Sequence, residues 1–376
     1  MENFLHAALI FFSAAVILVP IFHRLGLGPI LGYLVGGIVV GPFGLKFFDD
    51  SESTAHFAEL GVVLLLFIIG LEIQPQKLWQ MRNRLLGLGL LQVVVTSTIF
   101  TLIGSLCGLE FQCAAIVGFG LSLSSTAFAL QSLSDRNELT TEFGKGAFAI
   151  LLMQDLTAIP ALAIIPLLFA TSGSQNSGGL IYFPLVILGL SISSRFLLRP
   201  FFRFIAKTRS REIFTAASLL VVLGVSTVMV KIGLSAALGT FIAGVLLADS
   251  EYRHELEANI EPFKSLLMGL FFMSVGMGLS LPLIFDRPLL IVSLSLLYFF
   301  MKWAIIYGIG RLSKMDHTSS KLMGLTIAQG GEFAFVIFGM GTDLKILDME
   351  TRALLSAMIT LSMGMSPLMN IVNDKL

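Results

Sequence analysis

Long apolar runs separated by short polar clusters leave this 376-residue chain little choice but to fold within a lipid bilayer. A helix needs roughly 20 apolar residues to cross the hydrocarbon core. Thirteen candidate runs can be traced, at 4–22, 28–45, 59–74, 86–107, 113–133, 144–170, 180–205, 212–230, 234–249, 264–281, 288–310, 321–341 and 352–372. Several are short or interrupted by glycine, which in a membrane protein suggests discontinuous helices lining a site. Composition agrees, with 56% hydrophobic and only 13% charged residues, where soluble domains carry about 25% charged residues. Basic and acidic residues balance at 24 each, which leaves no basic surface for nucleic acid. The stretch from Phe4 to Pro20 lacks a basic leader and a small-residue cleavage site, so it reads as the first span. Cys107 and Cys113 flank an apolar turn and read as small packing residues.

Lysine and arginine orient the chain. Seventeen of the 24 follow odd-numbered spans and five follow even-numbered ones, while Lys302 lies inside a span and Lys375 after the last. Positive charge favours the cytoplasm, so the N-terminus is expected outside and the C-terminus in the cytoplasm.

The chain also repeats itself. Leu31–Gly37 matches Leu238–Gly244 at an offset of 207, Leu64–Ile73 matches Leu270–Leu279 at 206, and Phe128-Ala129 matches Phe333-Ala334 at 205. Ser124 then falls opposite Gln329. The repeats begin seven spans apart, an odd number, so the two copies enter the membrane from opposite sides. Inverted repeats of this kind mark secondary transporters that work by alternating access.

Against this apolar background a few polar residues stand out. Asp155 follows more than two turns of apolar residues, with Gln154 before it. An acid at such depth is costly and faces a cavity or a partner. It can bind a proton or a desolvated cation, and that competition is the simplest physical basis for antiport. Gln154 adds a neutral carbonyl ligand. In the preceding span, Ser122, Ser124, Ser125 and Thr126 place four hydroxyls within five positions, a pattern that weakens a helix by bonding backbone carbonyls locally. A break there frees half-helix ends for an ion. Its repeat partner, Gln329-Gly330-Gly331-Glu332, supplies paired glycines and polar groups, so two broken helices are expected to cross. Glu332 is read as a polar stabiliser of that break. Lys302 is mid-span and needs either Asp155 or the C-terminal dipole of a broken helix as partner. It serves either as a titrating group or as a structural counter-charge. The charged loop Asp249–Pro262, with His254, Glu255, Glu257, Asn259 and Glu261, is cytoplasmic in this topology and fit to dock a basic regulatory surface.

The segments Leu25–Tyr33, Leu66–Glu72, Ser124–Ala127 and Gln154-Asp155 resemble the monovalent cation:proton antiporter-2 family. His254–Glu257, Ile260–Pro262 and Gln329–Phe335 resemble, within it, the glutathione-gated potassium efflux (Kef) proteins of bacteria. The likeness runs through essentially all thirteen spans. It implies an all-α membrane protein of about 13 transmembrane helices, an inverted-repeat antiporter fold with two crossed discontinuous helices. It implies a dimerisation part at about 1–76 and 212–281, a core at about 86–170 and 288–372, and a linker helix at about 180–205. It implies elevator-type exchange of potassium for protons in a homodimer of the bacterial inner membrane, with the cation and proton at Asp155, Gln154, Ser124, Ser125 and Thr126. Lys302 falls on the family's membrane-embedded lysine, and the acidic regulatory loop on His254–Pro262, where Asn259 replaces an acid of some members. Members of the family usually continue into a cytosolic nucleotide-binding domain that senses glutathione. This sequence ends at Leu376 without a G-x-G-x-x-G in a β-α-β setting. No cofactor is therefore expected on these residues, and a regulatory domain or ancillary subunit is an expected partner.

A ligand-gated potassium channel is the competing class, and a sodium/proton antiporter the competing selectivity. The inverted repeat and single buried carboxylate favour antiport, since a channel filter of repeated carbonyls is absent from the sequence. An enzyme is not expected, because no histidine lies mid-span to activate a nucleophile.

Overall fold

A computed structural model describes residues 2–47, 62–71, 75–169, 194–208, 210–231, 236–248, 250–279 and 281–375. Among these residues every regular element is helical. In chain order the first helices are α1 (Glu2–Arg24), α2 (Pro29–Val40), α3 (Val62–Leu71), α4 (Pro75–Arg84), α5 (Leu91–Leu106), α6 (Phe111–Ser122), α7 (Thr126–Asp135) and α8 (Glu142–Phe169). They are followed by α9 (Arg199–Ala206), α10 (Arg211–Lys231), α11 (Ala236–Leu247), α12 (Arg253–Met277) and α13 (Leu281–Asp286). The last are α14 (Pro288–Leu312), α15 (His317–Ile327), α16 (Glu332–Asp343) and α17 (Met349–Lys375).

Among the described residues six helices are long and apolar enough to cross a membrane, or seven if the bent pair α15–α16, kinked by 49°, counts as one span. Others of the thirteen expected runs form shorter apolar helices such as α2 and α3. Most of the expected linker helix at 180–205 lies outside the described residues. Large apolar side chains point outward, among them Leu106 at 87% and Leu289 at 85% exposure. On a protein surrounded by hydrocarbon such faces cost nothing.

The chain divides into two compact units. One comprises 1–51, 80–158 and 275–376, the other 52–79 and 159–274. In the first, Leu85–Leu90 forms a π-turn that runs into α5. A Cβ on Gly89 would lie 2.5 Å from Met153 Cβ and 3.0 Å from Ala149 O. Glycine at that point lets α8 approach closely enough to bring its polar residues against α5. The start of α15 is capped in the ordinary way. Asp316 accepts from Ser319 N at 3.0 Å, and hydrogen bonds from the Ser319 side chain and backbone hold its carboxyl below the usual aspartate range.

In the second unit Leu256 and Ile260, four residues apart, are fully buried in a core with Phe202, Phe214 and Leu247. That period overrides the reading of 249–262 as a loop: from Arg253 onward the segment is the first turns of α12. Its charges sit on the outer face, where Glu261 pairs with Lys264 at 2.9 Å.

The repeat leaves a matched mark in each unit. In the first, a Cβ on Gly276 would lie 3.2 Å from Gly37 Cα; in the second, one on Gly70 would lie 3.0 Å from Gly244 Cα. Gly37 aligns with Gly244, and Gly70 with Gly276. The two close contacts are therefore counterparts.

Candidate functional site

The first unit contains two helix breaks, and they meet. Helix α6 stops at Ser122, Leu123 is extended (φ −78, ψ 145), and α7 begins at Thr126. Helix α15 stops at Ile327, and α16 begins at Glu332 after Gly330-Gly331. Ser124 Oγ donates to Ile327 O at 2.7 Å. A Cβ on Gly331 would lie 2.6 Å from the carbonyl carbon and oxygen of Ser124. Only glycine allows the two backbones this approach.

A broken helix leaves its last carbonyls without intrahelical donors, and at membrane depth each unsatisfied group costs several kcal/mol. Here side chains supply the donors. Tyr298 Oη donates to Leu121 O at 2.9 Å, and Gln92 and Gln154 donate through Nε2 to Ser122 O at 3.0 and 3.1 Å. Lys302 Nζ donates to Leu123 O at 2.6 Å, to Gln329 O at 3.1 Å and to Tyr298 Oη at 3.1 Å. Of the two partners open to Lys302 in the sequence, the C-terminal ends of broken helices are the ones it meets. It caps both breaks at once. Ser362 Oγ completes the set by accepting from Gly330 N at 3.0 Å.

Gln154 is fully engaged. Its Oε1 accepts from Ser124 N at 2.8 Å, and its Nε2 also reaches Gln92 Oε1 at 2.8 Å and Ser124 Oγ at 3.2 Å. The expected carbonyl ligand thus carries a structural load as well, holding the strand between α6 and α7. Asp155 is only half-buried, and both its carboxylate oxygens accept from Thr126 Oγ1 at 3.2 Å. Ser125 Oγ instead accepts from Phe128 N at 3.4 Å, as the N-cap of α7. The structure therefore gathers Gln154, Asp155, Ser124, Ser125, Thr126, Lys302 and the Gln329–Glu332 segment around the two breaks.

His254, Glu255, Glu257, Asn259 and Glu261 belong to the other unit. Asn259 Oδ1 accepts from Thr215 Oγ1 on α10 at 2.7 Å, and its Nδ2 donates to Glu255 O at 2.6 Å. Of these, Asn259 lines an open cleft of about 520 Å³, together with Arg211, Thr215 and Phe263.

Sequence reasoning passed over Gln92, Tyr298 and Ser362. Gln92 carried a usable signal, a polar side chain in the apolar run Leu85–Val95. Tyr298 and Ser362 carried none, because hydroxyls are ordinary in packed membrane helices.

Among the described residues no three histidine, cysteine or acidic side chains converge on a metal. One carboxylate and one hydroxyl suit a monovalent cation held briefly. Broken helices that bring buried polar side chains together at membrane depth are an architecture common among secondary transporters. Residues 11–371 match the family model for the transmembrane domain of sodium/hydrogen exchangers, and the chain belongs to that family. It is 43% identical over 98% of its length to glutathione-regulated potassium-efflux system protein KefC of Escherichia coli strains S88 and ED1a. It spans 60% of the length of those relatives. Its fold is similar to that of the sodium proton antiporter MjNhaP1 from Methanocaldococcus jannaschii at pH 8, with a TM-score of 0.68, 15% identity and coverage of 99% of this chain and 96% of the other. A second structure of that antiporter, from electron microscopy, gives a TM-score of 0.63 at 15% identity, covering 98% and 96%.

Proposed function

We propose that this chain exchanges a monovalent cation for protons across the membrane, with potassium efflux as its direction and Asp155 as the shared binding site. One observation carries the reading. Within a polar cluster where side chains donate to carbonyls at the ends of α6 and α15, Asp155 is a half-buried carboxylate that accepts from the Thr126 hydroxyl at the start of α7. A carboxylate at the edge of such a framework can accept either a proton or a partly dehydrated cation. Because the two exclude each other, release of one drives uptake of the other.

Potassium is favoured over sodium by the 43% identity to a potassium-efflux relative. The finer architecture belongs to the same proposal: thirteen spans with the two broken helices crossing, a core at about 86–170 and 288–372 moving elevator-fashion against a dimerisation part, a homodimer in the bacterial inner membrane, and gating by a cytosolic regulatory domain or subunit that contacts His254–Glu261.

The test is transport in proteoliposomes with a pH-sensitive dye. Asp155→Asn removes the exchangeable charge and keeps the shape, so potassium-dependent proton movement is expected to fall to the level of empty liposomes. Potassium flux that persisted in this variant without proton movement would replace the antiporter with a channel.

A further inference from the structure

Most polar side chains at the two breaks are matched, and the exceptions fall together. Gln329 is fully buried, and neither Oε1 nor Nε2 has a hydrogen-bond partner among the described residues. Three residues on, across the Gly330-Gly331 gap, Glu332 Oε2 is likewise buried and unpartnered. The contrast with the first break is sharp, since there the Gln154 amide is fully engaged.

Position adds a second reason for interest. Glu332 is the first residue of α16, as Thr126 is of α7. Gly331 packs on the Ser124–Ser125 peptide, and the Ser125 hydroxyl lies beside the Glu332 carboxyl. The next residue, Thr126, holds Asp155. Two acids thus address adjacent residues at the start of one half-helix. Two negative charges so placed in low dielectric repel strongly unless a proton or a cation intervenes.

We propose that Glu332 is a second proton-exchanging carboxyl of this core. Its Oε2 is buried without a partner, a place for a proton, and the Ser125 hydroxyl beside the carboxyl is a donor to the charged form. The charged groups around Glu332 are few among the described residues. Lys302 on α14 binds the Gln329 backbone carbonyl, Asp155 lies on α8, and Arg352 on α17 stands against Gly339, about two turns further along α16. The timing of the exchange within a transport cycle rests on the antiport reading above, whereas the titration itself does not.

Infrared difference spectroscopy of the reconstituted protein, stepped in pH and in potassium, reads the carboxylic C=O stretch directly. Two responding components are expected in the wild type, one lost in Asp155→Asn and the other in Glu332→Gln. Glu332→Asp should keep the second component and move its frequency, which also serves if Glu332→Gln fails to fold. In liposomes Glu332→Gln should shift the pH profile of exchange. A spectrum in which Glu332→Gln retains every component overturns the proposal. So does a Glu332 band that ignores pH, the result expected if a fixed water satisfies these atoms. Exchange that survived Asp155→Asn would remove Asp155 as the shared binding site and leave the Glu332 measurement standing.

Discussion

Lys302 is fully buried and donates to two backbone carbonyls and a phenol. An ammonium at membrane depth is costly, and here the cost is offset by joining the negative ends of two half-helices. Lys302→Met should therefore act first on stability. It strands Leu123 O and Gln329 O, and each buried orphan costs about 1–3 kcal/mol. Thermal unfolding in detergent should show a large drop in midpoint, with Lys302→Arg much closer to wild type. A Met variant as stable as wild type but silent in transport would instead make Lys302 a titrating group. At this scale Asp155 and Lys302 were legible because charge in an apolar run is conspicuous. Thr126 was legible too, within the run of four hydroxyls, whereas Tyr298 was not, since it is recruited by folding and leaves no mark in spacing.

The breaks themselves were legible as elements. Ser122, Ser124, Ser125 and Thr126 compete for backbone bonds, and paired glycines lower helix propensity. What the pattern did not contain was how tightly the breaks pack. Gly331 has φ −112, so an alanine there suffers no backbone strain, only collision with Ser124 carbonyl atoms at 2.6 Å. Backbone cannot swing aside as a side chain does. At Gly330 the added carbon would meet Ile359 Cγ2 at 2.8 Å, a side-chain contact rather than a backbone one. Gly331→Ala should thus destabilise the protein and abolish exchange, while Gly330→Ala is milder on both counts, measured by unfolding midpoint and by dye quenching in liposomes. Equal effects would argue against a steric origin. The start of α12 was misjudged for the opposite reason. Dense charge at 249–262 hid the Leu256–Ile260 period that makes its C-terminal part a helix.

For the whole molecule the inverted repeat was readable as three offsets, and the equivalent Gly37–Gly276 and Gly70–Gly244 contacts give it physical substance. The repeat requires the copies to enter from opposite sides but leaves open which side is which. That choice rests on seventeen positive charges against five, and one native thiol can test it. Cys107 caps the end of α5, ahead of Gly108 at φ +92, and is exposed, while Cys113 on α6 is buried. In the thirteen-span reading the turn follows the fourth span, so the charge bias puts Cys107 on the outer side. A membrane-impermeant maleimide should label right-side-out vesicles to completion without permeabilisation. Cys107→Ser should abolish that labelling, because Cys113 at 5% exposure is shielded. Labelling that appears only after the vesicles are opened would invert the orientation of every span. The helix α12 segment carrying His254 to Glu261 would then face away from the cytoplasm, and contact with a cytosolic regulator would be ruled out with it.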